Sequence, residues 1–417
     1  MELALNMNTC EIFHALFSHT EVCENVHLPS SRINSCENFH TDAPFSRGRR
    51  CFGMVIIGYF LMIFGVSTPS NLSAQELISV PAEFVRELEL PGALNHFQRP
   101  ARILADNRVS EIYLADAGND RIVIMNQDGL YKFEFSTSEQ CGAPTDIAVD
   151  SAGHVFVLGT NNSGQGIFEY DYNGIFLRQF TSDSLIANAK IGAIAFDSRQ
   201  RLYVTDGRGK RILRFSDNGL IDKEFPATSD LTGNLLRDVS YGAMVISSDT
   251  IYLPVSSIGT VYCLDLEGNK IREIGYFGTQ AGELNFPVAV AVAPDRTVLV
   301  LDKHRYNVSC YTGDGQFLGE FGGKGVSPGW FYHPTWLAVD GNGLIYIGQI
   351  FNNKIQVCRM PERIRERQTK IINNNDIHEK SLNGSGNQTG QILDNRSRKT
   401  TFAAINNYQH FGGIFHA

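Results

Sequence analysis

Two groups of residues in this chain have the types and spacing for chemistry. Near the N-terminus Cys10 and His14, Cys23 and His27, and Cys36 and His40 form three Cys-x3-His units set 13 residues apart. A thiolate and an imidazole four residues apart would share a helical face and could offer soft metal ligands. Pro29, the serine-rich joints and the lack of apolar periodicity resist a helix there, so an unstructured tandem duplication is the competing reading. The second group is His96, Arg99, His304, Arg305, Tyr306, Trp330, Tyr332 and His333, which fall between apolar runs, in loops, where binding residues concentrate.

The elements that must position the second group are short strands. From Leu284 to Gly325 alternation and turn chemistry predict four in a row, with Pro294-Asp295-Arg296 and Asp314-Gly315 as hairpin turns. A unit of this size cannot bury both its faces alone. Copies follow at a period of 43 to 49 residues, with second strands IYLAD, VFVLG, LYVTD, IYLPV, VLVLD and IYIGQ ending at Asp116, Gly159, Asp206, Val255, Asp302 and Gln349. That period marks propeller blades. Five units close on a turn ending in Gly129, Gly174, Gly219, Gly268 or Gly315, whereas the sixth ends at KIQVCRM without a fourth strand. Glu83 to Pro100 parallels Glu320 to Pro334, a fourth strand and its link, so the N-terminal strand is expected to complete the last blade. The expected fold is all-β, a six-bladed β-propeller over residues 75–362 with four antiparallel strands per blade.

In such a blade the link into strand one and the loop between strands two and three share one end. That rim collects the eight residues named above together with Asp116, Arg121, Asp206, Arg211 and Asp302. His96, His304 and His333 belong to blades one, five and six, neighbours after closure, where a cation site is conceivable. The competing reading is structural, with the repeated Asp and Arg bracing successive blades.

Asp116-Ala-Gly-Asn119-Asp-Arg121-Ile122 and Asp206-Gly-Arg-Gly-Lys-Arg211-Ile212, each followed by a Gly hairpin, resemble the NHL repeat. So does Phe97-Gln-Arg-Pro100, echoed by Phe331-Tyr-His-Pro334. The second and fourth units depart from the pattern, with Gly159 and Val255 at the Asp position. The resemblance implies a six-bladed propeller used mostly as a binding platform and sometimes as an enzyme. In the amidating lyases sharing this repeat, zinc is held by histidines spread around the axis. Blades two to four offer none comparable, since His154 falls in a first hairpin at the opposite end. In gluconolactonase-like propellers a central metal needs acidic and Asn ligands near the axis. The first strands ARILAD, TDIAVD, GAIAFD, AMVISS, AVAVAP and TWLAVD show no such constellation, and Asp106, Asp150, Asp197 and Asp340 end them. The expected function is therefore a binding or scaffold module, probed on the rim by a protein or small ligand, with a metal-dependent lyase or lactonase-like enzyme as the alternative. No catalytic residue, metal ligand or cofactor is assigned.

A net charge of −8 in 417 residues argues against a nucleic-acid surface, which needs a basic stripe. Residues 1–50 read as a poorly structured extension. SRGRR followed by the apolar run Cys51 to Val66 and a Ser73-Ala74 end predicts an export signal over 51–74, cleaved after Ala74. An uncleaved anchor over 51–66 is the alternative and the one expected membrane contact. The exported product is expected to be a monomer, secreted or periplasmic. Cys141, Cys263, Cys310 and Cys358 lie downstream, and Cys263 and Cys310, on matching strands of splayed blades, read as buried free thiols. Glu362 to Lys370 could extend as a short charged helix, within a polar tail over 363–417 that otherwise reads as disordered.

Overall fold

The structure is a computed structural model, and it describes residues 80–371 and 373, apart from 93–94, 163 and 182–187. The N-terminal extension with its Cys-x3-His units, the export segment and the tail beyond 373 lie outside the described residues. Among the described residues, no helix is long and apolar enough to cross a membrane.

Among the described residues, twenty-four strands form six sheets of four antiparallel strands. Blade one runs from β2 (Pro100–Asp106) through β3 (Glu111–Asp116) and β4 (Arg121–Asn126) to β5 (Tyr131–Ser136). Blades two to five repeat this order as β6–β9 (143–179), β10–β13 (191–226), β14–β17 (245–274) and β18–β21 (287–322). Blade six is β22 (Pro334–Val339), β23 (Ile345–Gln349) and β24 (Lys354–Arg359), completed by β1 (Glu83–Glu87). Phe84 pairs with Cys358 and Glu87 with Gln356, so the ring closes through the N-terminal strand as the sequence led us to expect. Trp336 Nε1 also donates to Pro100 O at 2.9 Å, tying blade six to blade one.

Both faces of every blade are covered by a neighbour, which is why the second strands are apolar without alternating. Ile112 and Leu114 point into the cluster shared with blade six, while Tyr113 and Ala115 point into the one shared with blade two. Six such clusters sit one at each blade interface. The five hairpin glycines all have positive φ, from 77° at Gly219 to 92° at Gly268, a region that L side chains rarely adopt.

The first strands carry a repeated irregularity. Pairing skips one residue at Ala101, Thr145, Val288 and Thr335, so a bulge re-aims the residue that follows: Arg102, Asp146, Ala289 and Trp336.

The charged run 362–371 is helical and packs on the ring. Ile364 is 1% exposed in the cluster between blades five and six, and Gln368 Nε2 donates to Asp295 O at 3.3 Å. Gly319 lets this helix approach, since a Cβ there would come 2.8 Å from Ile364. Ile364 thus seats the short charged helix expected from Glu362 onward in a groove that composition could not reveal.

Candidate functional site

The Asp that ends strand two proves to be a clamp within its own blade. Asp302 is fully buried and accepts the backbone N–H groups of Asn285, Phe286, His304 and Arg305, holding the incoming link and the loop after it. Asp116 takes the Gln98 N–H and the side chains of Asn119 and Arg121. Asp206 takes the amides of Lys190, Arg208 and Gly209 and the Arg211 guanidinium. Burial alone would raise the Asp206 carboxyl, but those amides and Arg211 together hold it below the ordinary carboxylate value. The Arg then reaches strand four, Arg121 to Glu134, Arg211 to Glu224, and Arg305 in a two-pronged pair with Glu320 at 2.9 and 2.8 Å. These residues pin a link and a fourth strand, where the sequence suggested a brace between blades. In blade six Gln349 replaces the Asp and accepts the Tyr332 N–H at 2.7 Å. In blade two a Cβ at Gly159 would run into Cys141 Sγ, so the thiol fills the space of the missing carboxylate.

The rim residues divide. His333 sits at φ 48° and meets three rings edge-on: Tyr332 at 4.6 Å, Phe351 at 4.9 Å and Tyr306 at 5.5 Å between centroids. Lys324 lies 5.7 Å from the Tyr306 ring centroid. His304 is elsewhere, stacked on Phe286 at 4.6 Å with Nδ1 2.9 Å from Asn285 Oδ1. Arg305 is committed to Glu320, and Trp330 is half-buried with its carbonyl accepting from Gln356 Nε2. Arg99 and His96 are exposed, held by their backbones through Asn353 and Arg121. The three histidines do not converge, and among the described residues no group of three or more His, Cys, Asp or Glu is placed to hold a metal.

Sequence reasoning missed the apolar part of this rim. Phe351 is 69% exposed, and Tyr276, Phe277 and Val326, on the links into blades five and six, are exposed with it. The two links share a fold, with matching parallel bridges Phe277 to Leu284 and Lys324 to Phe331. A single apolar residue in a loop gives no signal until the covered faces are known.

It also missed the axis. Arg102 on β2 and Asp146 on β6 are 5% and 2% exposed, with Nε 3.0 Å from Oδ1. Burial raises the Asp146 carboxyl, while Arg102 and the amides of Ile194 and Ile147 pull it back. The pair lines an axial cavity of about 310 Å³ that opens among the rim loops, beside Phe286, Lys303 and Thr335. The signal was present as opposite charges at equivalent positions of adjacent first strands.

No family model matches the chain. Protein brain tumor of Drosophila melanogaster is 27% identical over 143 residues, 32% of this chain. The match spans only 13% of the length of that relative. Among solved structures, a Bacteroides thetaiotaomicron protein of unknown function aligns with a TM-score of 0.49 and 17% identity, over 68% of this chain and 75% of that one. A streptogramin B lyase aligns at 0.46 and 14%, over 67% and 98%. Virginiamycin B lyase from Staphylococcus aureus aligns at 0.45 and 17%, over 66% and 88%.

Proposed function

We propose that this chain is an exported NHL-type propeller whose rim over blades five and six binds a protein partner. The observation that carries the reading is the set of exposed apolar residues on the loops of that rim, Tyr276, Phe277, Val326 and Phe351, the last of which meets His333. Apolar residues exposed together on one rim are the material of interaction sites, and aromatic side chains are the types that anchor them. The repeated Asp and Arg motif supports the family assignment, and the apolar run 51–66 behind SRGRR supports export.

A photo-crosslinking residue placed at Phe351 of the full chain, expressed in its own host, tests the rim. The expected result is one discrete adduct that does not form from Leu177, an exposed residue on the outer strand of blade two. Equal adducts from both positions, or none, would remove the rim assignment. Mass analysis of the mature N-terminus tests export separately: a chain beginning at Gln75 outside the cytoplasm is expected, and an intact chain inside it would overturn that part.

A further inference from the structure

Around the axial cavity, polar groups are buried without partners. Each oxygen of Asp146 also accepts a backbone amide, Oδ1 the Ile147 N–H at 2.9 Å and Oδ2 the Ile194 N–H at 2.8 Å. The Arg102 guanidinium, with five N–H donors to place, is poorly served by that carboxylate. Its Nε lies within ion-pair range of Asp146, yet neither Nε nor Nη1 makes a hydrogen bond, although both are buried. Thr335 Oγ1 on the first strand of blade six is likewise buried and unpartnered, and the partly exposed Lys303 adds a second cation to the cavity lining. Among the described residues nothing satisfies the Arg102 Nε and Nη1 donors or Thr335 Oγ1, and burying them so is costly.

The charges specify what would satisfy them. Arg102 and Lys303 against Asp146 leave one net positive charge in the cavity. This suits a monoanion better than a phosphate dianion, and the planar guanidinium fork matches a carboxylate. The remaining wall mixes polar and apolar groups, Thr145, Ser240 and Thr335 with Phe286 and Val288, and the volume suits a small molecule. We propose that the axial cavity is a binding site for a small monocarboxylate, held by Arg102 and Lys303 with the rest of the molecule against Phe286 and Val288. This site is separate from protein capture on the outer rim and does not depend on it.

Benzoate is the probe, with benzamide as its uncharged counterpart, titrated calorimetrically into the full chain. Benzoate is expected to bind saturably, at least about tenfold more tightly than benzamide. Lys303→Met, on a partly exposed loop, should weaken it severalfold. Arg102→Met combined with Asp146→Asn removes both members of the buried pair without stranding a charge, and should abolish binding while circular dichroism stays that of the wild type. Four results would each overturn the proposal: no saturable binding at millimolar benzoate, equal binding of benzamide, preferred binding of inorganic phosphate, or undiminished benzoate affinity in the folded double variant.

Discussion

Arg102 and Asp146 occupy equivalent positions, each directly after the bulge on its first strand, and they meet at 3.0 Å across the interface of blades one and two. The same position in blade six is Trp336, whose indole reaches Pro100 of blade one, while Asp146 itself reaches the Ile194 amide of blade three. Arg102, Asp146 and Trp336 at this position therefore tie one innermost strand to the next around the axis. Side chains here brace blade against blade near the axis, as Arg86 to Gln127 O and Arg178 to Asp217 O do farther out, while the Asp and Arg of the repeat brace each blade internally.

Removing one member of the pair strands a buried charge, which typically costs on the order of 3 kcal/mol, whereas removing both is often close to neutral. Asp146→Asn and Arg102→Met should each lower the denaturation midpoint markedly, and the double variant should recover most of the loss. A double variant as unstable as the sum of the singles would show that the pair holds the ring together by its own attraction.

Asp206 offers a pH signature. A carboxylate held below its unfolded value stabilises the fold above that value, near 3.8, and loses the contribution as pH falls through its folded value. Asp206→Asn should cost on the order of 2 kcal/mol at neutral pH, the scale of hydrogen bonds to a charged group. The gap between variant and wild type should close as pH drops below about 4. A gap independent of pH would place the effect in shape, with no role for charge.

The repeat, the hairpin glycines and the closing strand were legible because each is local: a period, a turn residue, or a missing strand answered at the other end of the chain. The axial pair was not. Its position is set by the bulges at Ala101 and Thr145, and simple alternation from Pro100 or Pro144 does not reveal where the next side chain goes. Attention fell on Asp106 and Asp150, which serve turns as expected, with Asp150 Oδ1 accepting the Ala152 and His154 amides. At the rim the loops were found but their roles were mixed. Arg305 turned inward to Glu320, and Phe351 turned outward, for tertiary reasons that no local pattern carries.

Closure makes a stability prediction. Deleting Glu83 to Leu90 removes β1, exposes the edge of β24 and leaves the spaces of Leu88 and Leu90, both buried, unfilled. Loss of several kcal/mol and aggregation are expected. At the other end Ile364→Ala should cost about 2 kcal/mol or more, as a buried truncation does, while deleting everything after 373 should leave Tm unchanged. An unchanged Tm for Ile364→Ala would mean that the helix contributes nothing to the ring.

The four described cysteines are free and buried, and burial pushes the thiols of Cys141, Cys263 and Cys358 up to about 12, with Cys310 also raised. Since the thiolate is the nucleophile, iodoacetamide at mildly alkaline pH should label none of the four in native protein and all four in denaturant, read by peptide mass. Native labelling at Cys141 would mean that blade two opens where its thiol stands in for the repeat carboxylate.

The rim is where the functional reading can fail. Tyr332 and Phe351 meet His333 edge-on, but Phe351 is largely exposed and Tyr332 only half-buried, so little of the core rests on them. Replacing either by Ala should weaken capture of the crosslinked partner by about 1 kcal/mol or more while Tm barely moves. Phe133 supplies the contrast. It packs against the cluster between blades one and two and meets Tyr172 at 5.6 Å, so Phe133→Ala should lower Tm and leave capture by the folded protein intact. If Phe351→Ala lowers Tm as much as Phe133→Ala and leaves capture unchanged, the rim aromatics serve packing, and the partner must dock elsewhere on the ring.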